Sequence, residues 1–467
     1  MTEINWQELV ADYKEDFLKD LFTLLEIDST RDDDAATEEF PVGPGPVKAL
    51  KTFLKLGERD NFKANNFDNW AGHIEFGEGE ELLGIFGHVD VVPAGTGWDT
   101  DPYEPVIKDG KIYARGSSDD KGPTMAAYYA MKMIQDLELP VSKRVRLIIG
   151  TDEETGWGCM DHYLKVAETP DFGFSPDAYF PIINGEKGNI TVKLDFAGEN
   201  GNADQLLTFD SGLRVNMVPQ EAEAKVKLVD TESVEENYKN YLNENDLQGR
   251  IEINESTVHL LLTGKAAHGS TPEEGVNAGT HLARFLSDFD FSKDAEAFLK
   301  VIKDYLYGSD KGEKLNIQYK DDLMGHLSSN FGVLKFKASE GGEVYANMRY
   351  PQGIDADEIL TKIKESLKDE EVECDFDGLG KKPHYVSKED PLVKTLLDVY
   401  ERQTGLEAHE KVIGGGTYGR LLDRGVAFGA MFPDSVDTMH QANEFMAVED
   451  LTRAMAIYAE SIYELIK

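Results

Sequence analysis

The chain has 467 residues, enough for two or three domains and a large buried core. Its 40% hydrophobic and 29% charged content is that of a globular protein, not a disordered one. With 48 Lys+Arg against 88 Asp+Glu the formal net charge is −40, a field that repels phosphate backbones and anionic lipid and attracts cations, so neither nucleic acid nor membrane is expected as a partner. Only Cys159 and Cys374 occur, so there is no disulfide framework and no thiolate zinc site. Any metal must be held by His and carboxylates. The segment MTEINWQELVADYKEDF is acidic and lacks the basic and apolar regions of a signal peptide, and no apolar run approaches membrane-spanning length. The expected location is the cytoplasm.

The first third alternates helix-like and strand-like runs. DFLKDLFTLLEI has the apolar spacing of an amphipathic helix, and ELLGIFGH is a short apolar run ending at a polar loop, as a buried parallel strand would be. TMAAYYAMKMIQDL predicts a helix after a break at Gly122–Pro123, and VRLIIGT a second buried strand. This alternation predicts an α/β domain, a mostly parallel sheet flanked by helices. The middle differs. AEAKVKLVDTESVEENYKNYLNENDLQGRIEIN reads strand, helix, strand, and GEVYANMRYPQGIDADEILTKIKESLKDEEVECDF repeats that order, with helices HLARFLSDFDF and AEAFLKVIKDYLY between them. The last segment returns to helices around a Gly-rich turn: PLVKTLLDVYERQTG, VIGGGTYGRLL and AVEDLTRAMAIYAESIYELI. The simplest architecture is a discontinuous catalytic domain, 1–185 with 385–467, and an inserted domain of two similar α+β subdomains at 186–384.

Five short segments carry chemistry. In GHVD, His88 and Asp90 share a face of a strand end, and an Asp can orient a metal-binding imidazole; an ordinary strand-end His beside a solvated Asp is the plainer reading. In YARGSSDDKGP, Asp119 and Asp120 precede a helix, where an acid is commonly a cap, but where one carboxylate could also bridge two metals; the frame favours Asp119. In GTDEETGWG, Asp152, Glu153 and Glu154 follow a buried strand. Such acids repel one another and raise each other's pKa unless a cation neutralises them, and ligands bind at the carboxyl ends of parallel strands. Adjacent Glu side chains point apart, so one can face a metal and the other its water. Asp177 in FSPDAYF reads alone as a turn residue, and His440 in DTMHQANE as a surface histidine. Together, His88, Asp119, Glu154, Asp177 and His440 supply four terminal ligands and a bridge for two metals. Mixed His/carboxylate ligation suits Zn2+, with Co2+ or Mn2+ as substitutes.

HVD, RGSSDDKG, DEETG, SPDA and MHQANE, present in that order, resemble the co-catalytic zinc peptidase family of carnosinases, aminoacylases, succinyl-diaminopimelate desuccinylase and bacterial dipeptidases. GHVDVVPAG, GSSDDKGP, GEKG and VIGGGTYGR are similar to its PepV-type bacterial dipeptidase branch. The resemblance implies that His88 and Asp177 bind one zinc and Glu154 and His440 the other. It makes Asp119 the bridge, Asp90 the group orienting His88, and Glu153 the general base. It also implies that the inserted domain is a lid bearing His268 in TGKAAHGS, Asn216 in GLRVNMVP and Arg349 in NMRYP. From their own surroundings, His268 is only a turn histidine and Arg349 could be a plain salt-bridge partner.

The expected chemistry is attack of a metal-activated water on a peptide bond, with Glu153 moving the proton and His268 stabilising the oxyanion. Arg349 would hold a substrate carboxylate, and Gly414–Gly416, centred on Gly415, could offer it backbone N–H groups; a tight turn explains those glycines equally well. In the family, Asp at the position of Asp177 goes with free amino termini and Glu more often with deacylases, which favours a dipeptidase acting on small peptides. A doubled lid supplying His268 in cis implies a monomer. The alternatives are an N-acyl amino acid deacylase or desuccinylase on the same scaffold, separated by a substrate panel, and an inactive metal- or peptide-binding protein, against which the unligated base Glu153 argues.

Overall fold

The computed structural model describes residues 4–198 and 204–467. The fold is mixed α/β and divides into two compact units, each with its own hydrophobic core. The first comprises the chain up to Gly185, Tyr385–Lys411 and Gly416–Lys467; the second comprises Glu186–His384 and Val412–Gly415.

The first unit is built on a six-stranded sheet in the order Lys63–Phe67, Ala71–Phe76, Arg144–Gly150, Leu82–His88, Phe172–Ser175, Gly425–Ala427. The last four run parallel to one another, and the first two form an antiparallel edge beside them. Leu82–His88 is buried along its whole length, which is why LLGIFGH is apolar without alternation. Helices Trp6–Leu25, Lys121–Asp136 and Val448–Ile466 pack together, and the latter two lie against this sheet. Lys121–Asp136 starts ahead of Gly122–Pro123 rather than after it. Proline in a first helical turn lacks only an N–H that has no intrahelical acceptor, so it does not break the helix there.

The second unit holds one eight-stranded antiparallel sheet. Its order is Gln248–Asn254, Thr257–Thr263, Glu221–Lys227, Gln205–Ser211, Ser328–Lys337, Gly341–Tyr350, Gly188–Phe196, Glu373–Phe376. The two strand–helix–strand segments occupy opposite halves: Glu221–Lys227, Val234–Glu244, Gln248–Asn254 in one, and Gly341–Tyr350, Ala356–Ser366, Glu373–Phe376 in the other. Each pair of strands flanks a third, and Gln205–Ser211 pairs with Ser328–Lys337 to join the halves. Strict alternation of buried and exposed residues in Glu221–Lys227 leaves one face for the core and one for solvent.

Candidate active site

Three adjacent parallel strands of the first unit end at one place. His88 closes Leu82–His88, Glu153 and Glu154 follow Arg144–Gly150, and Asp177 follows Phe172–Ser175. Asp119 comes from the loop before helix Lys121–Asp136. His440 comes from a turn before the short strand Phe445–Ala447, whose pairing with Lys111–Tyr113 brings the C-terminal histidine to the Asp119 loop.

Asp119 reaches both histidines, one with each carboxylate oxygen. Its Oδ1 is 3.1 Å from His88 Nε2 and its Oδ2 2.9 Å from His440 Nε2. Asp177 Oδ2 lies 3.6 Å from His88 Nε2, and Glu154 Oε2 3.1 Å from His440 Nε2. Two groups of potential ligands result, His88 with Glu153 and Asp177, and Asp119 with Glu154 and His440; within each, ligand atoms lie within 4.8 Å of one another. The structure thus brings together all five residues expected to hold metal, with Glu153 among them.

Asp90 acts on His88 mainly through its backbone. His88 Nδ1 donates to the Asp90 carbonyl at 3.0 Å, and the Asp90 carboxylate stands 3.4 Å away. The carboxylate also accepts from the Glu154 N–H at 3.1 Å, tying two site segments together. With the proton on Nδ1, Nε2 presents a lone pair, and this buried nitrogen has no hydrogen-bond partner. A lone pair facing the oxygens of Asp119 and Asp177 is repulsive unless a cation lies between them.

With no cation between them, the same oxygens draw protons onto the two rings instead. Burial opposes charge on His88, yet Asp119, Asp177 and Asp90 hold its imidazole well above the usual range. Hydrogen bonds to Asp119 and Glu154 push His440 up to about 11. Burial raises Glu154 to about 7, with Asp119 adding to it. Burial likewise raises Glu153, whose acidic neighbours are Asp177, Glu154 and Asp119, and Asp177, next to Asp119. Carboxylates outnumber histidines in the cluster, so it favours added positive charge, and its nitrogen and oxygen donors suit a divalent metal.

Several supporting residues are not distinguished by the sequence. Glu444 is fully buried and accepts from Arg115 Nη1 at 2.6 Å, from the Gly116 and Ser118 N–H groups at 3.1 and 2.9 Å, and from Ser118 Oγ at 3.0 Å. It also accepts from the Asp119 N–H at 3.3 Å, so it fixes the backbone that carries Asp119. Asp120 does not cap its helix through its side chain. Its carboxylate accepts from Thr124 Oγ1 at 2.6 Å and from the His88 N–H at 3.2 Å. Gly87 leaves room for that contact, since a Cβ there would sit 2.0 Å from Thr124 Oγ1. Asp152 stands apart from its neighbours Glu153 and Glu154: it pairs with Arg31 at 2.6 Å and accepts from the Gly158 N–H, bracing the loop.

The remaining expected residues lie in the second unit. The Gly269 N–H donates to the Asn216 carbonyl at 2.7 Å, and Met217 forms a β-bridge with His268. His268 Nδ1 accepts from the Ser270 N–H at 3.2 Å, which leaves the proton of the neutral ring on Nε2; burial and nearby Arg349 lower its pKa, favouring that neutral form. Arg349 donates to the Gly414 carbonyl at 2.8 Å and to Asn347 Oδ1 at 3.2 Å. A Cβ on Gly415 would meet only Ile413, at 3.7 Å, so packing does not dictate a glycine there.

Human carnosine dipeptidase 1 shares the fold at a TM-score of 0.60 with 14% identity over 98% of each chain. The di-peptidase Dug1p of Saccharomyces cerevisiae does so at 0.56, also with 14% identity over 98% of each. The chain belongs to peptidase family M20/M25/M40, whose profile matches residues 84–464. It is 44% identical over 467 residues to the Beta-Ala-Xaa dipeptidase of Lactobacillus delbrueckii subsp. lactis, covering 100% of this chain and 99% of that relative.

Proposed function

We propose that this metallopeptidase is a dipeptidase that hydrolyses dipeptides with a free amino terminus at a two-zinc site. The observation that carries this reading is Asp119, one carboxylate reaching two histidines, each histidine beside a further acid. His88 and Asp177 would hold one metal and Glu154 and His440 the other, with Asp119 shared; Co2+ or Mn2+ could substitute. Bound metals would supply the Lewis acidity that activates water and polarises the scissile carbonyl.

The chain's own groups do the rest. Asp90 fixes the His88 tautomer that turns Nε2 toward the acids. Glu153 takes the attacking water's proton and delivers it to the leaving amine. The second unit, in this reading a lid, contributes His268, whose Nε2–H would donate to the oxygen that becomes negative, and Asn216 beside it. Arg349, held by Asn347 and Gly414, would anchor the substrate carboxylate, with the Gly415 backbone next to it. The dipeptide preference draws on the activity named for the Lactobacillus relative and on Asp177 in place of Glu.

The test is turnover of a dipeptide panel, N-acetyl amino acids and N-succinyl amino acids by wild type and Glu153→Gln, with chelation and zinc add-back. Wild type cleaves dipeptides fastest, loses activity on chelation and regains it with zinc. Glu153→Gln retains its metals and loses at least about 100-fold in kcat, as expected for a general base. Faster cleavage of acyl amino acids would replace the reading with a deacylase, and undiminished turnover by the mutant would remove Glu153 from the mechanism.

A further inference from the structure

The loop that carries Asn216 rests on a dedicated seat in the middle of the second unit's sheet. Asn330 lies on the central strand Ser328–Lys337 and is 1% exposed. Its Nδ2 donates to two carbonyls, Val215 at 2.8 Å and Met217 at 2.9 Å, which bracket Asn216. Two residues on, the strand slips register between Phe331 and Val333, a bulge that leaves Gly332 out of the ladder. A Cβ on Gly332 would sit 2.3 Å from the Val215 carbonyl oxygen, so the loop backbone lies directly on that glycine. The bulge is itself held, because Asn277 Nδ2 donates to the Phe331 carbonyl at 2.9 Å.

From this seat the constraint passes to His268. The Gly269 N–H donates to the Asn216 carbonyl at 2.7 Å, and the Val218 N–H donates to the Ala267 carbonyl at 2.9 Å. These two bonds flank the Met217–His268 bridge. Gly269 permits the approach, since a Cβ there would fall 2.9 Å from the Asn216 carbonyl group. A chain of short backbone contacts therefore runs from one buried amide to both Asn216 and His268.

We propose that Asn330 is a positioning residue for the reaction: with the Gly332 bulge, it fixes the Asn216 loop and, through it, the placement of His268. The inference rests on the reading that Asn216 and His268 act on the substrate. Asn330 itself touches neither the substrate nor the metals. A plain core amide would satisfy carbonyls anywhere. This one takes the two on either side of a single functional residue.

Asn330→Asp keeps the side chain's shape and removes both donors. Turnover is measured on the dipeptide that wild type cleaves fastest, together with metal content and thermal melting. Asn330→Asp is expected to keep its metals and lose about 10- to 100-fold in kcat, the scale of a misplaced catalytic group, while KM changes less than about threefold. The decisive comparison repeats the substitution in an Asn216→Ala/His268→Ala background. If Asn330 acts through those two residues, it costs less than about twofold there. Asn330→Ala goes through the same comparison if the Asp variant does not fold. An equal loss in both backgrounds, or wild-type kcat from a folded Asn330 variant, overturns the proposal. Wild-type turnover by the Asn216→Ala/His268→Ala background alone would instead overturn the reading beneath it, and the positioning role with it.

Discussion

Glu444 is where a single side chain controls the most local structure. It collects an arginine, three backbone N–H groups and a hydroxyl, and the backbone it holds carries Asp119. Glu444→Ala would leave Arg115 buried without its carboxylate, at a cost of about 3–5 kcal/mol, and release the Asp119 loop. The expected outcome is a lower midpoint in denaturant and substoichiometric metal in the folded fraction, read by unfolding titration and metal analysis. At this scale the sequence was legible where a residue stood in a compact motif: His88, Asp119, Glu153, Glu154 and His440. Asp177 reads alone as a turn residue and is singled out by its place in the motif series, in SPDA; the structure sets it beside His88. Glu444 ends the same MHQANE segment that carries His440, but its partner Arg115 is 329 positions away, and no local pattern links them.

Elements add a titration that sequence does not show. His73 lies on Ala71–Phe76, opposite Ile148, with Nδ1 2.6 Å from Tyr163 Oη and Nε2 3.1 Å from Asn65 Nδ2. Burial, with Arg146 adding to it, lowers its pKa to about 3. The folded state keeps this ring neutral while the unfolded chain protonates it below its ordinary 6.5, so stability is lost as pH falls from that value toward 3. Between pH 7 and pH 5 the loss from this group is about 2 kcal/mol. His73→Gln should flatten that part of the stability profile, which denaturant melts at several pH values would reveal. Elements with a strong pattern were readable: the apolar Leu82–His88, the apolar end of Arg144–Gly150, and the alternating Glu221–Lys227. The short strands Gly425–Ala427 and Phe445–Ala447 were not, because each is fixed by pairing with a distant segment rather than by its own residues.

For the whole molecule, the second unit's sheet joins two α+β halves in one chain, and its two outer strands are poor templates for another copy. Gln248–Asn254 is almost entirely exposed and carries Arg250 and Glu252; Glu373–Phe376 carries Glu373 and Asp375. Charged edge strands oppose edge-to-edge pairing, and a net charge of −40 adds a repulsion that salt screens beyond about 8 Å. We propose that the enzyme works as a monomer. Light scattering at physiological salt should return the mass of one chain, and a stable dimer would contradict the proposal. The change of character near residues 185 and 385 coincides with the division into two units, except that Val412–Gly415 falls with the second. The continuity of the inserted sheet was not legible, since the pairing of Gln205–Ser211 with Ser328–Lys337 spans more than a hundred residues with no local sign.

The order in which the site's residues occur along the chain has a consequence for biosynthesis. His88, Asp119, Glu153, Glu154 and Asp177 all precede the second unit, whereas His440 and the brace Glu444 follow it. At ordinary translation speeds the ribosome spends on the order of ten to fifty seconds between Asp177 and His440. Through that interval the nascent chain holds the acids without the histidine and the brace that complete their arrangement. Under the proposed two-metal reading, competence to cut peptides would arrive only with the last stretch of synthesis, and a prematurely terminated chain would lack it.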